Sequence, residues 1–351
     1  MISTPVPEAV FRHATRSRRG AQDRHGPRID APVRSPTVVF VVMSAQQPAA
    51  VVEQLIDSLA PHRVVVHHDF TQQPDFRIDR PQAVLVPDPR ETGWGTWGFC
   101  DALLHSLDFC ANELGFDYCQ VLSPTCLPVR PVADFVRHLM SDPADAHADL
   151  FDLDTDLDVW MSYAYRAYFD ANSVRSRALG RVRKVYFGPR AQRAHFRSLQ
   201  ILRSGREPDA TSTAVVQSLA VAATRLVAGL PGGARRYGTA LRPVVGSTWF
   251  GVRHAACVRL LQAARRPEVT GAFRRLANAD EHVFPTLLRS AAIRLSGSNH
   301  FISPFDLDGH PVRIGLDELD RAARSGRFFA RKFRDDTADA VRRRALAMSR
   351  A

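Results

Sequence analysis

The 351-residue chain is 45% apolar and 24% charged, ordinary usage for a globular protein, which excludes wholesale disorder, collagen-like repeats and a disulfide-stapled miniprotein. Its net charge of +11 sits at the two ends: residues 1–34 hold seven Arg against three acids, and residues 321–351 hold nine Arg and Lys332 against three acids. Residues 35–320 balance, so the charge does not imply a nucleic-acid-binding domain, and no nucleic-acid partner is expected.

Residues 1–35 are rich in Arg, Pro, Ser and His with no hydrophobic period. They are expected to form a disordered basic arm, either a solvated tail or an electrostatic attachment to anionic lipid. Order starts at Thr37–Met43, an apolar run that reads as a buried strand. Pro48–Leu59 follows as a helix with Val51, Val52, Leu55, Ile56 and Leu59 on one face. Arg63–His67 and Ala83–Val86 read as strands, Trp97–Leu114 as a helix, Tyr118–Leu122 as a strand and Pro131–Met140 as a helix opened by proline. This alternation predicts an α/β fold with a mostly parallel central sheet and helices on both faces. Ligands of such sheets bind at the carboxyl ends of the strands, here Met43-Ser44, His68-Asp69, Pro87-Asp88 and Ser123-Pro124-Thr125.

Asp152-Leu153-Asp154-Thr155-Asp156-Leu157-Asp158 alternates with period two, as a solvated strand would. The same run is open to metal binding or to acceptor hydroxyls. From 175 to 206 there are nine Arg, Lys184 and no acid, read as a solvated loop–helix segment. Thr213–Leu230 is a buried or amphipathic helix rather than a membrane span, because Gln217, Ser218 and Arg225 interrupt it. Gly246–Val252 reads as a strand, and His254–Ala264 and Asp280–Arg289 as helices. The five cysteines, Cys100, Cys110, Cys119, Cys126 and Cys257, are odd in number with no Cys-x-x-Cys, which fits buried reduced thiols. No apolar stretch follows Met1, so a cytoplasmic protein, peripheral at the inner membrane through its basic arm, is expected.

Three further motifs carry chemistry. Asp280-Glu281 opens a helix, where a carboxylate is either a cap or a general base on a fixed helix start. Phe329-Ala330-Arg331-Lys332-Phe333 sets two cations between aromatics. Lys332 is one of only two lysines against 45 Arg, so it invites a role; an Arg/Lys pair there could grip a diphosphate. Gly93-Trp94-Gly95-Thr96-Trp97-Gly98 offers aromatic faces and close backbone approach just before a helix.

Taken in order, Val38–Met43, Val66-His67-His68-Asp69, Trp94-Gly95-Thr96-Trp97, Leu122–Val129, Gly246-Ser247-Thr248-Trp249-Phe250, Asp280-Glu281 and Phe329–Phe333 resemble the core-2/I-branching β-1,6-N-acetylglucosaminyltransferase family, which includes peptide O-xylosyltransferases. The resemblance covers about residues 37–345 and implies one GT-A-like, Rossmann-like domain over residues 36–351. Within it, 175–243 form a basic helical insertion and 300–351 a basic segment closing the donor site. It implies an inverting transfer of a sugar, GlcNAc or xylose, from a UDP-sugar to a hydroxyl of a glycan or polysaccharide acceptor, with no metal or other cofactor.

By the same resemblance Glu281 is the catalytic base. By it Asp69, Trp94, Lys332 and Arg313 bind the UDP-sugar; Val41 and Met43 of the first strand are expected to join them, and Asp152, Asp154 and Trp249 to bind the acceptor. Met43-Ser44 stands where the family carries a His, and Pro124-Thr125-Cys126-Leu127 where it carries Gly-x-x-Tyr. Two other readings are open on the residues alone: a non-catalytic basic protein binding nucleic acid or anionic membrane, and a metal-dependent nucleotidyltransferase using Asp152–Asp158.

Overall fold

The computed structural model describes residues 35–93, 95–153, 157–191, 213–231, 233–238, 241–290, 293–304 and 311–350. The expected basic arm lies outside these residues except for Ser35. The chain is mixed α/β around a seven-stranded, mostly parallel sheet.

The strands, in chain order, are β1 (Val38–Ser44), β2 (Arg63–His68), β3 (Ala83–Leu85), β4 (Tyr118–Leu122), β5 (Leu127–Pro128), β6 (Ala146–His147), β7 (Leu150–Asp152), β8 (Val244–Gly246), β9 (Gly251–Arg253), β10 (Leu295–Ser296), β11 (His300–Ile302) and β12 (Phe329–Arg331). The large sheet runs β10-β6-β9-β4-β1-β2-β3, with β9 antiparallel to both its neighbours. At its centre β1 pairs in parallel with β2 and β4, Val41 lying opposite Val65 and Val121. Every residue of β1 is buried, as a strand covered on both faces requires.

Strand alternation divides the core in two. Val39, Val41 and Met43 face one side, packed with α2 (Trp97–Phe109), α7 (His254–Ala264) and α9 (Asp280–Ser290). Val38, Phe40 and Val42 face the other, packed with α1 (Ala49–Ser58), α3 (Val132–Ser141) and the C-terminal elements α10 (Leu316–Arg324) and α11 (Ala340–Met348). The remaining helices are α4 (Leu157–Ala167), α5 (Val174–Ala191), α6 (Ala214–Gly229) and α8 (Pro267–Phe273). A short π-helical turn, Cys110–Leu114, continues α2. Within the expected basic insertion, α5 and α6 pack together, with Tyr186, Phe187, Ala220 and Met161 of α4 in a small core of their own. Among the described residues no helix is long and apolar enough to cross a membrane. All five cysteines are buried free thiols.

Two expectations are corrected. The Asp152–Asp158 run is not one solvated strand: β7 ends at Asp152, Leu153 is fully buried in a turn, and Leu157 and Asp158 open α4. The run divides because its end opens α4, where Asp158 in the first turn suits the positive end of the helix. Nor is Gly246–Val252 one strand. It splits into β8, paired with β7, and β9, in the large sheet, with Ser247–Phe250 passing between them.

Candidate active site

Because β1, β2 and β4 are parallel neighbours, their carboxyl ends share one edge of the sheet, at Ser44, His68 and Leu122. Asp69 leaves β2 there with its amide bonded to the Ser44 carbonyl (3.1 Å). Its buried carboxylate accepts from the Thr71 amide (3.0 Å), the Thr71 hydroxyl (2.5 Å), Gln72 Nε2 (2.7 Å), the Thr92 amide (2.6 Å) and the Thr92 hydroxyl (2.8 Å). Burial opposes its ionisation, but these bonds outweigh it and hold the carboxyl well below the usual range. Asp69 thus ties the end of β2 to the loop that precedes α2.

That loop is in turn fixed to the head of α9. Gly95 adopts φ +68°, and its carbonyl accepts from the Asn278 amide (2.8 Å). A Cβ at Gly95 would lie 2.9 Å from Asn278 Oδ1, so both the backbone angle and the space select glycine. Asn278 itself has positive φ, and its carbonyl accepts from the Glu281 amide (3.0 Å), which starts the helix. Trp94 lies outside the described residues.

β8 passes close to α9: a Cβ on Gly246 would meet the Asp149 carbonyl oxygen at 2.3 Å and Pro285 Cγ at 2.8 Å. This approach brings Thr248 to the helix head, where its hydroxyl donates to Asp280 Oδ2 (2.7 Å). Trp249 follows, its ring edge-to-face with Phe99 and 4.4 Å below the Arg331 guanidinium carbon. Glu281 Oε2 accepts from Arg166 Nη1 (3.1 Å). Arg166 is buried against the rings of Tyr163 and Tyr165, and its Nε donates to the Tyr165 hydroxyl (2.7 Å). The Glu281 side chain stays 33% exposed. Burial pushes the Glu281 carboxyl above the ordinary range, Arg166 draws it back, and Asp280 adds to the rise. Burial likewise raises Asp280, while Thr248 and Arg331 counter it.

The opposite wall is cationic. β12 pairs antiparallel with β5, and the Phe333 amide bonds to the Thr125 carbonyl (2.9 Å), so the Phe329–Phe333 motif lies against the Ser123–Val129 strand end. Phe329 and Phe333 are fully buried anchors, which leaves Arg331 and Lys332 half-buried between them. Arg313 joins them, donating to the Phe333 carbonyl (2.9 Å) and pairing with Asp335 (3.2 Å). Burial, then the neighbouring Arg313 and Arg331, hold the Lys332 ammonium below the ordinary lysine range. Arg331 Nε is buried with no hydrogen-bond partner. Three cations thus converge on one wall, and Arg331 is close enough to Asp280 for each to shift the other's ionisation.

Glu281, Trp249, Lys332 and Arg313 are therefore brought together around one strand-end region. Other expected site residues are not. Val41 is fully enclosed in the core, so its side chain does not reach a donor. Met43 is also buried, with its sulfur against the Ser106 hydroxyl. Asp152 is gripped by both arms of Arg289 (3.1 and 3.0 Å) at the far end of α9, eight residues from Glu281 and about 12 Å along the helix. Asp154 lies outside the described residues.

One site residue escaped the sequence reading: Arg166 lies 115 residues from Glu281 and had no local signal. Arg331 is legible in its motif as half of an Arg/Lys pair able to grip a diphosphate, although the resemblance puts Arg313 forward as the second cation.

A cleft of about 730 Å³ lies past the end of α4, lined by Phe169, Asp170, Arg175, Arg236, Arg274 and Arg275 among others. Its single carboxylate, Asp170, pairs with Arg236 (2.5 Å) and Arg275 (3.6 Å), so the lining carries excess positive charge. The segments that continue to Arg166 and Glu281 are joined here by the Ala171 amide and the Arg275 carbonyl (2.7 Å).

No protein-family model matches the chain, and no curated protein sequence matches it.

Proposed function

We propose that the chain is an inverting, metal-independent glycosyltransferase of GT-A type, akin to the core-2/I-branching enzymes, moving GlcNAc or xylose from a UDP-sugar to a hydroxyl of a glycan or polysaccharide. The observation that carries this reading is the pairing of Glu281 at the start of α9 with the Arg313, Arg331 and Lys332 wall, bridged by Asp280 and Trp249. Inversion at an anomeric carbon is one in-line displacement. A carboxylate takes the acceptor's proton on one side, and positive charge stabilises the departing diphosphate on the other.

In this reading Glu281 is the base and Arg166 orients it by holding one carboxylate oxygen. The Lys332 ammonium and the Arg331 and Arg313 guanidinium groups neutralise the UDP oxygens. The metal-free assignment is supported by Ser123-Pro124-Thr125, a strand end without a carboxylate, and by the three cations opposite it. Asp69 acts by ordering the donor loop rather than by touching the nucleotide. The acceptor enters from the Arg166 side, where the arginine-lined cleft favours an acceptor bearing acidic groups. The proposed place of action is the cytoplasm, with peripheral contact at the inner membrane through the basic arm as an option.

The test is calorimetric titration of UDP and UDP-sugars in chelator and in manganese, joined to a transfer assay. UDP binding unchanged by chelator and sugar transfer abolished in Glu281→Gln are the expected results. Binding weakened more than about tenfold by chelator, roughly 1.4 kcal/mol, overturns the metal-free assignment.

A further inference from the structure

A second cluster lies on the other face of the sheet from α9, among the residues packed around Tyr118 and Phe135. His138 is in the last turn of α3, Asp142 follows it by four residues, and His147 lies on β6. Asp142 Oδ2 is 3.2 Å from His147 Nε2 and 3.5 Å from His138 Nε2, and the three ligand atoms all lie within 4.8 Å of one another. Around a tetrahedral ion with bonds of ~2.0–2.1 Å, neighbouring ligand atoms stand about 3.3 Å apart. These two separations bracket that value. As a hydrogen bond the longer one is poor.

The surroundings hold these groups in place. His147 Nδ1 faces the Tyr118 hydroxyl (2.8 Å), which Asn299 Nδ2 holds in turn (3.0 Å). Asp142 Oδ1 accepts from the Ala144 amide (2.7 Å), which leaves Oδ2 for the imidazoles. The Arg253 guanidinium donates to the carbonyls of Leu139 (2.7 Å), Asp142 (2.7 Å) and Ala144 (2.8 Å), clamping the loop between the ligands. An outer shell of this kind fixes imidazole orientation at metal sites. His138 is about one-third exposed and lines a hollow of about 300 Å³ with Asp134, Ser141, Arg130 and Arg137.

We propose that His138, Asp142 and His147 form a site for a divalent transition-metal ion of the zinc type, with its fourth position open to the hollow. Two imidazoles and one carboxylate suit such an ion and not magnesium or calcium, which take oxygen ligands. The site is separate from Glu281 and stands whether or not the chain transfers sugars.

Untagged full-length protein, stripped with chelator, would be titrated with zinc by calorimetry and with cobalt(II) by visible absorption. One equivalent of zinc and the intense visible bands of four-coordinate cobalt are expected. His138→Ala should lose the bands and weaken zinc at least about tenfold, a loss that even an outer-shell partner can cause. The melting temperature of the metal-free variant should hold, because the His138 side chain is 36% exposed. His138→Cys should keep zinc and add a thiolate–cobalt charge-transfer band. Absence of zinc uptake, or uptake unaltered in His138→Ala because other histidines bind it, overturns the proposal.

Discussion

Arg166 donates to the Glu281 carboxylate at 3.1 Å across 115 residues of chain, joining the last turn of α4 to the first turn of α9. The pair joins a guanidinium that is almost wholly buried to a carboxylate that is one-third exposed. One end of the pair is therefore fixed by packing while the other stays partly open to solvent, which is the arrangement a positioned base needs.

Glu281→Gln keeps the shape and much of the hydrogen bonding but cannot take a proton. Transfer should fall by about 10²–10⁴ in kcat, the usual range for a positioned general base. UDP affinity should hold, because in the proposed reading Glu281 meets the acceptor and not the nucleotide. A calorimetric titration beside a transfer assay separates the two. Retention of most of the transfer rate would place the base elsewhere.

The acid limb of the rate profile tests the same group. Burial raises the Glu281 carboxyl, so activity should be lost as pH falls through a value above the ordinary ~4.3 of glutamate. Arg166 is the partner that draws this value down. Arg166→Met should therefore move the limb to higher pH and also destabilise the fold, by up to about 3–5 kcal/mol, because a buried pair loses one member. Glu281's partial exposure puts the cost toward the low end. An unmoved limb would show that the limb reports another group.

Much of the sheet was legible in the sequence because its central strands are continuous apolar runs: Tyr118–Leu122 has the expected bounds and β1 lies within one residue of them. Legibility failed where contacts are distant. The Gly246–Val252 pattern looks like one strand, yet Thr248 turns to the head of α9 and Trp249 to Arg331, so the strand breaks to build the site. The alternating Asp run carries a strand period, but β7 ends at Asp152 and the run closes in the first turn of α4, where Asp158 suits the helix start. Asp280-Glu281 and Lys332 could be picked out locally because a helix start and a rare lysine are local signals. Arg166 had neither.

Asp152 shows the same limit from the other side. Its pairing with Arg289 is partly exposed, with side-chain exposures of 35% and 42%. Asp152→Asn should change stability by no more than about 1 kcal/mol, as for other surface pairs. Transfer should be untouched, since the residue lies at the opposite end of α9. A large loss of transfer with normal stability would restore Asp152 to the acceptor site.

Asp69 gives a stability test. A carboxyl held below its ordinary range contributes stability that is present above its unfolded value, near pH 3.9, and is lost as pH falls through the lower folded value. Asp69→Asn should cost roughly 2–4 kcal/mol at neutral pH, since several charge-assisted bonds weaken together. The gap between variant and wild type should start to narrow below about pH 4, where the unfolded chain takes up the proton while folded Asp69 stays ionised, and go on narrowing toward the lower folded value. Urea melts at pH 7 and pH 3 compare the full gap with the narrowed one. A gap independent of pH would mean that packing, not charge, sets the cost.

The cation wall makes the most specific demand. Lys332 and Arg331 are both held half-buried by the aromatic anchors Phe329 and Phe333, but they differ in their partners. Arg331 is stacked on Trp249 and near Asp280, whereas Lys332 has chiefly other cations around it and, among the described residues, Asp335 in opposition. An anion entering the wall therefore relieves repulsion at Lys332 as well as gaining a contact. Lys332→Ala should weaken UDP by roughly 1.5–3 kcal/mol, the worth of a charge-assisted contact, which is about 10- to 100-fold. Lys332→Arg should restore it only in part, because a planar fork places its donors differently from a point charge. Apo stability should be unchanged or slightly raised in Lys332→Ala, since the variant removes a like charge beside Arg313 and Arg331. Calorimetry gives the affinity and a melt of the free protein gives the stability. If UDP binds Lys332→Ala as it binds the wild type, the wall does not hold the diphosphate, whatever Glu281 does.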